Sequence, residues 1–158
     1  MSQEPLIRPA TPDDLPEILR HRRGMYEAMG YTDASSLSSM LSTSKPYLTS
    51  ALQNGSFRGW MALLEERVVG GGAILINPWP SHPYDLECRR ATILNVYVDP
   101  GFRRRGIARQ LMRTMIDWCR KEDFAAVYLH ASNDGKPLYE TLGFEPTTEM
   151  RLKLRDTI

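Results

Sequence analysis

Apolar and polar positions alternate most regularly over residues 92–98, where Thr92, Leu94, Val96 and Val98 fall on one face and Ile93, Asn95 and Tyr97 on the other. A period of two among β-branched residues predicts a strand. Pro100, which has no N–H for a ladder, ends it at Asp99-Pro100-Gly101. The period then lengthens: Ala108, Leu111, Met112, Met115 and Cys119 recur at spacings of three and four, and Arg109, Gln110, Arg113, Asp117 and Arg120 fill the opposite side. That pattern predicts an amphipathic helix starting near Gly106.

Upstream, residues 6–8 predict a short strand. Thr11-Pro12-Asp13-Asp14 opens a helix, with Thr11 as N-cap and Pro12 at the first helical position, and Leu15, Ile18, Leu19, Met25 and Met29 carry it to a stop at Gly30. Residues 35–55 predict a second helix, interrupted near Pro46. Residues 60–64 and 68–76 predict a hairpin turning at 65–67, with Gly70-Gly71-Gly72 marking a bulge or a close backbone approach. Residues 77–90, with Pro78, Pro80 and Pro83 among Trp79, His82 and Tyr84, predict a long loop of functional interest. Beyond the central helix, 125–131 alternates as a strand with Val127 and Leu129 on one side and Tyr128 and His130 on the other. A short helix over 137–142 stops at Gly143, and 150–154 predicts a last strand.

A chain of 158 residues suits one domain, taken as 1–158, with a core that needs neither disulfide nor metal. Its 20 Lys and Arg nearly cancel 19 Asp and Glu, leaving +1, so Arg103, Arg104 and Arg105 form a local positive site in a neutral protein. A nucleic-acid partner is therefore not expected. Two cysteines, Cys88 and Cys119, make no framework, and there is neither a leader nor an apolar run near twenty residues. These features lead to the expectation of a reduced, cytoplasmic protein without a membrane partner.

The chemistry lies where the strand turns into the helix. A helix start leaves backbone N–H groups unpaired at the positive end of its dipole, and Gly106 and Ala108 let a ligand approach them. Arg103, Arg104 and Arg105 add side chains that match phosphate oxygens. Neither Gly-x-x-x-x-Gly-Lys-Ser/Thr nor Gly-x-Gly-x-x-Gly is present. What remains, Arg103-x-x-Gly106-x-Ala108 behind Val96-x-Val98-Asp99-Pro100, resembles the acetyl-CoA signature of the GCN5-related N-acetyltransferase (GNAT) superfamily. The stretches 7–15 and 138–145 resemble the same family, so the likeness spans nearly the whole chain.

The resemblance implies an α/β (α+β) fold: a mixed, mostly antiparallel central sheet flanked by helices on both faces, whose central and next strands splay apart to admit pantetheine. It implies that the backbone of Val96, Tyr97 and Val98 pairs with pantetheine and that one of their N–H groups polarises the thioester carbonyl. Arg103 heads the signature, and Arg104, Arg105, Gly106, Ile107, Ala108 and Arg109 would hold the pyrophosphate. Tyr139 matches the tyrosine that protonates the leaving thiolate. Asn133 resembles a cofactor-contacting asparagine, although it lies six residues before Tyr139, one fewer than in the family pattern. The tail is short, so residues 77–90 would wall the acceptor site.

The implied function is acetyl-CoA-dependent N-acetyl transfer to a primary amine, on a small molecule or a peptide, by direct attack in a ternary complex. An alkyl ammonium must lose a proton first, and the candidate base is His130, followed by Glu87, Asp85 and Glu65. Tyr139 as a plain core aromatic is the alternative for that residue. A covalent cysteine route is disfavoured, because Cys119 falls on the apolar helix face and Cys88 has no partner. The rival reading of the whole is a non-catalytic acyl-CoA-binding or sensing module. No metal is expected, and a homodimer is compatible with the resemblance.

Overall fold

In the computed structural model, which describes residues 3–157, Leu6–Pro9 (β1), Phe57–Leu64 (β2), Arg67–Pro78 (β3), Arg89–Val98 (β4) and Val127–Leu129 (β5) form one sheet in that spatial order. The first four strands pair antiparallel. β5 joins β4 in parallel through Ala91↔Val127, Thr92↔Tyr128 and Ile93↔Leu129. This is the mixed, mostly antiparallel sheet implied by the resemblance.

Helices cover both faces and create two cores. Leu15–Ala28 (α1) and Ala34–Asn54 (α2) place Ile18, Leu48 and Ala51 against Phe57, Met61 and Ala73. Ile107–Lys121 (α3) and Lys136–Thr141 (α4) cover the other face. There α3 buries Ile107, Leu111, Met112, Met115 and Cys119 against Trp60, Ile74, Ala91, Ile93 and Val98. The period read from the sequence therefore selects the packed face of α3.

The start of α1 follows its capping residues. The Thr11 N–H donates to Asp14 Oδ2 at 2.8 Å, across a short 3₁₀ turn at Pro12–Asp14. Asp14 also accepts both Arg8 Nη groups, at 2.8 and 2.9 Å. The β2–β3 hairpin turns on two residues rather than three, Glu65 (φ 48) and Glu66 (φ 68), the left-handed pair whose twist matches the strands.

Four sequence expectations are corrected. The helix α2 runs unbroken through Pro46. A mid-helix proline costs about 3 kcal/mol. Here the Asp33 side chain accepts the Ser36 N–H, left-handed Gly55 closes the far end, and Leu48 and Ala51 anchor the turn after the proline. Residues 77–90 are not all loop, because β3 and β4 continue to Asn77↔Arg90 and Pro78↔Arg89, and the Trp79 N–H donates to the Cys88 carbonyl at 3.1 Å. Pro78 is tolerated because it occupies the last rung of its strand. Residues 150–154 form no strand: Met150, Leu152 and Leu154 are exposed, and alternation alone makes no strand without an edge to pair with. The strand predicted over 125–131 is shortened to β5.

His21 of α1 is fully buried and stacks 5.5 Å from the Tyr97 ring. Burial, then the charge of Arg20 beside it, pushes its pKa from 6.5 down to about 4, against smaller upward pulls from Glu17 and Asp99. The unfolded chain therefore binds the proton first, so the stability tied to neutral His21 is fully present above pH 6.5 and is lost as pH falls toward 4. Urea titrations should show a loss of at most about 3 kcal/mol across that window. In His21→Gln the corresponding part of the pH slope should vanish, and an unchanged slope would refute the assignment.

Candidate functional site

β4 contains a bulge at its centre. Gly71 pairs with Tyr97 and Ala73 with Leu94, so Asn95 and Val96 together face Gly72 alone. Asn95 takes the left-handed conformation, φ 60, which asparagine tolerates better than any β-branched neighbour would. Leu94 packs in the α1–α2 core, and the next residue also turns that way, Asn95 Nδ2 donating to the Ile18 carbonyl of α1 at 3.1 Å. Val96 and Val98 then join Ala91 and Ile93 on the α3 side. The expected alternation over 92–98 is thus broken, and Thr92 and Leu94 do not share a face with Val96 and Val98.

The bulge coincides with the parting of strands. Pairing with β5 ends at Ile93↔Leu129, so along 94–98 this edge of β4 has no strand partner among the described residues. A groove of about 980 Å³ runs beside β5 and meets β4 at Arg90 and Thr92, just before this edge; its lining includes Leu129, His130, Asn133 and Tyr139. The Tyr139 ring packs on the α3-side core and stands edge-on to Phe144 at 6.0 Å. Burial raises the pKa of its hydroxyl, so the phenol keeps its proton. His130 is exposed at the groove, just past the end of β5. Of the other candidate bases, Glu65 sits in the β2–β3 turn, and Asp85 and Glu87 lie at the tip of the β3–β4 hairpin; none lines the groove.

Past Val98 the chain makes a 3₁₀ turn at Pro100–Phe102 and enters α3 through Gly106, whose φ of +78 is left-handed. Nothing lies within 4 Å of where a Gly106 Cβ would stand. The N–H groups of Gly106, Ile107, Ala108 and Arg109 open the helix, where its geometry provides no intrahelical acceptor. The Ile107 side chain is buried, so that residue offers only its backbone. The arginines differ in what they touch. Arg103 Nε donates to the Val98 carbonyl at 2.9 Å with its guanidinium 5.5 Å over Tyr97, so both Arg103 and that carbonyl are engaged within the chain. Arg105 lies over Phe102, Arg104 (φ 60) is exposed, and Arg109 donates to Thr141 Oγ1 of α4 at 2.9 Å. That last bond ties the helix start to the element bearing Tyr139. At the same turn, Asp99 accepts from Arg20 of α1 at 2.6 Å.

Sequence reasoning missed a cluster at the groove's other end, where Arg90 lies between the rings of Trp79 and Tyr128 and beside Glu149. No local spacing signals it, because its members come from three separate stretches of chain. Among the described residues, no group of three His, Cys, Asp or Glu side chains could hold a metal, and no helix is long and apolar enough to cross a membrane.

The model of the acetyltransferase (GNAT) family matches residues 19–144. Human N-acetyltransferase 8 is 30% identical over 120 residues, covering 74% of this chain and 49% of its own. The ribosomal-protein alanine N-acetyltransferase of Escherichia coli is 41% identical over 64 residues, covering 39% and 43%. The chain thus spans about half the length of the curated relatives it matches. A solved GCN5-related N-acetyltransferase from Ralstonia eutropha superposes with TM-score 0.88 at 35% identity, over 95% of this chain and 98% of that one. An acetyltransferase structure from Clostridium acetobutylicum, with acetyl-CoA, superposes with TM-score 0.84 over 96% of both chains; at 23% identity it attests the fold.

The bulge yields a test. Asn95→Val puts a β-branched residue in a left-handed site and removes the bond to Ile18, which should cost about 2–3 kcal/mol in urea unfolding. Asn95→Gly keeps the backbone and loses only the bond, at about 1 kcal/mol. Equal losses in the two variants would show that the left-handed geometry is not what asparagine supplies.

Proposed function

This chain belongs to the acetyltransferase (GNAT) family, and we propose that it transfers the acetyl group of acetyl-CoA to a primary amine by direct attack within a ternary complex. One observation carries the reading. The parallel strands β4 and β5 part at a bulge, a left-handed Gly106 opens α3 at the end of β4, and Tyr139 and His130 line the groove beside β5.

The residues present suit the donor. Free N–H groups at a helix start, an open approach over Gly106 and the arginine side chains fit a diphosphate. Arg104, Arg105 and the backbone of Gly106, Ile107, Ala108 and Arg109 would hold it. When bound, acetyl-CoA supplies the acetyl group and departs as the thiol. The unpaired edge of Val96, Tyr97 and Val98 supports the reading that a backbone N–H there polarises the thioester carbonyl. A ligand seeking the Val98 carbonyl has to displace Arg103. Tyr139, kept neutral by burial, donates its proton to the departing sulfur. His130 takes the proton of the amine, directly or through a water, and Asn133 borders the donor beside α4. Asn77, Trp79 and Arg90 line the groove, which supports a role for the β3–β4 hairpin as the acceptor wall.

CoA or acetyl-CoA at a hundred times its Kd should stabilise the fold by about 2.7 kcal/mol, seen as a higher Tm. Gly106→Asp, which puts a carboxylate where the diphosphate must lie, should abolish binding in calorimetry. Normal binding by that variant would mean the cradle is misassigned.

Tyr139→Phe keeps the ring's packing and loses the hydroxyl. CoA affinity and Tm should hold while kcat falls, toward the lower end of the hundredfold to ten-thousandfold range typical of proton donation, roughly a hundredfold. Unchanged kcat would remove Tyr139 as the acid, and a drop in Tm would make it a core aromatic. Intact CoA binding without turnover of any amine would favour the acyl-CoA-binding module.

A further inference from the structure

The groove meets β4 at Arg90 and Thr92, just before the strands part. It continues over the face of the sheet that carries α1 and α2, where Leu75, Asn77, Thr92 and Tyr128 line it. Neither helix covers this corner: α1 reaches the second half of β4 through Ile18 and His21, and α2 sits on β2 through Leu48 and Ala51. Arg90 projects from this corner, opposite Asn77 and two residues from Thr92. Its guanidinium carbon is 3.9 Å from the Tyr128 ring centroid and 4.6 Å from that of Trp79, so the planar cation is clamped between two aromatic faces. The side chain is only 18% exposed. Its Nε is buried without a partner, and Nη2 has one long contact, 3.4 Å to Glu149 Oε2, a carboxylate that is itself 57% exposed.

An oriented, largely desolvated guanidinium with an unpaired donor is a carboxylate receptor. The acidic residues of the groove, Glu140, Glu145 and Glu149, lie at its exposed rim, so the fixed charge of the interior is positive. We propose that Arg90 recognises the acceptor, and that the amine acetylated by this protein carries a carboxylate, which Arg90 takes while the Trp79 and Tyr128 rings hold the chain between. The proposal rests on the acetyl-transfer reading of the same groove. It also sets a length. Arg90 lies four residues along β4 from Leu94, where the strands part, or about 13 Å at the usual rise. That separation is the reach of an extended peptide of roughly three to four residues. A free α-amino acid is too short. Glu149 occupies the place of the acceptor carboxylate and yields it readily, being held by a single weak contact.

The test uses glycine peptides of two to five residues, each as the free acid and as the C-terminal amide. CoA release is followed at saturating acetyl-CoA, and the Kd of each peptide is measured by calorimetry on CoA-loaded protein. At the best length the wild type should favour the acid by roughly tenfold to a hundredfold in KM and Kd, with similar kcat, as expected for a charge-assisted pair. Arg90→Gln should erase that preference, bringing the acid's KM and Kd to those of the amide measured on the same variant. Arg90→Lys, which keeps the charge and loses the fork, should fall between, and serves if the glutamine variant does not fold. Glu149→Gln should tighten the acid. Equal use of acid and amide at every length, equal weakening of both by Arg90→Gln, or no binding of any peptide would overturn the proposal, and turnover in the first two cases would leave acetyl transfer standing. Arg90-dependent binding of the acid without turnover would support the recognition site and refute acetyl transfer.

Discussion

A single left-handed residue, Asn95, sets what each half of the central strand can touch. Before it, β4 pairs on both edges; after it, the edge toward β5 is left free. Because two β4 residues oppose Gly72 alone, the faces exchange. The Asn95 amide reaches the carbonyl of Ile18 in one core, while Val96 enters the other. The bulge therefore belongs to three elements at once, α1, β3 and β4. It holds because an asparagine adopts a backbone angle that valine or isoleucine would resist.

The strand opposite the bulge must be thin. A Cβ on Gly70 would stand 2.7 Å from the Tyr97 carbonyl oxygen, on Gly71 2.9 Å from His21 Nδ1, and on Gly72 2.8 Å from Met115 Cε. Helices thus press on β3 from both faces, and His21 is buried with no hydrogen-bond partner for Nδ1. A desolvated imidazole in that position stays neutral and makes the fold sensitive to acid. The Arg20–Asp99 pair beside it is half exposed on the arginine side, so it adds little stability. Its effect is positional, holding α1 to the turn that leads into α3.

The helix start and the groove ask different things of arginine. At the start of α3, Arg104 and Arg105 are exposed, while Arg103 is folded back on Val98. In the groove, Arg90 lies between aromatic rings. Exposed arginine gives attraction and rate, whereas a clamped, desolvated one gives discrimination. Arg109 bridges the start of α3 to α4, so the helix start and the element bearing Tyr139 are held together.

Legibility in the sequence follows the range of the interactions. The strand before Asp99, the packed face of α3, the cap at Thr11, the stops at Gly30 and Gly143 and the start of α3 at Gly106 were all determined by the sequence itself, because periodicity, capping and turn chemistry act over a few residues. The break in alternation at Asn95, the unbroken α2 across Pro46, the extension of β3 and β4 into residues 77–90 and the unpaired state of 150–154 were decided only by the tertiary structure. Each depends on whether a partner from distant chain stands opposite. The same holds for the site. Tyr139 and His130 could be named from their local context, but Arg90, Trp79, Tyr128 and Glu149 come together only once β3, β4, β5 and the tail are in register, since no local pattern records which side chains the sheet will bring face to face.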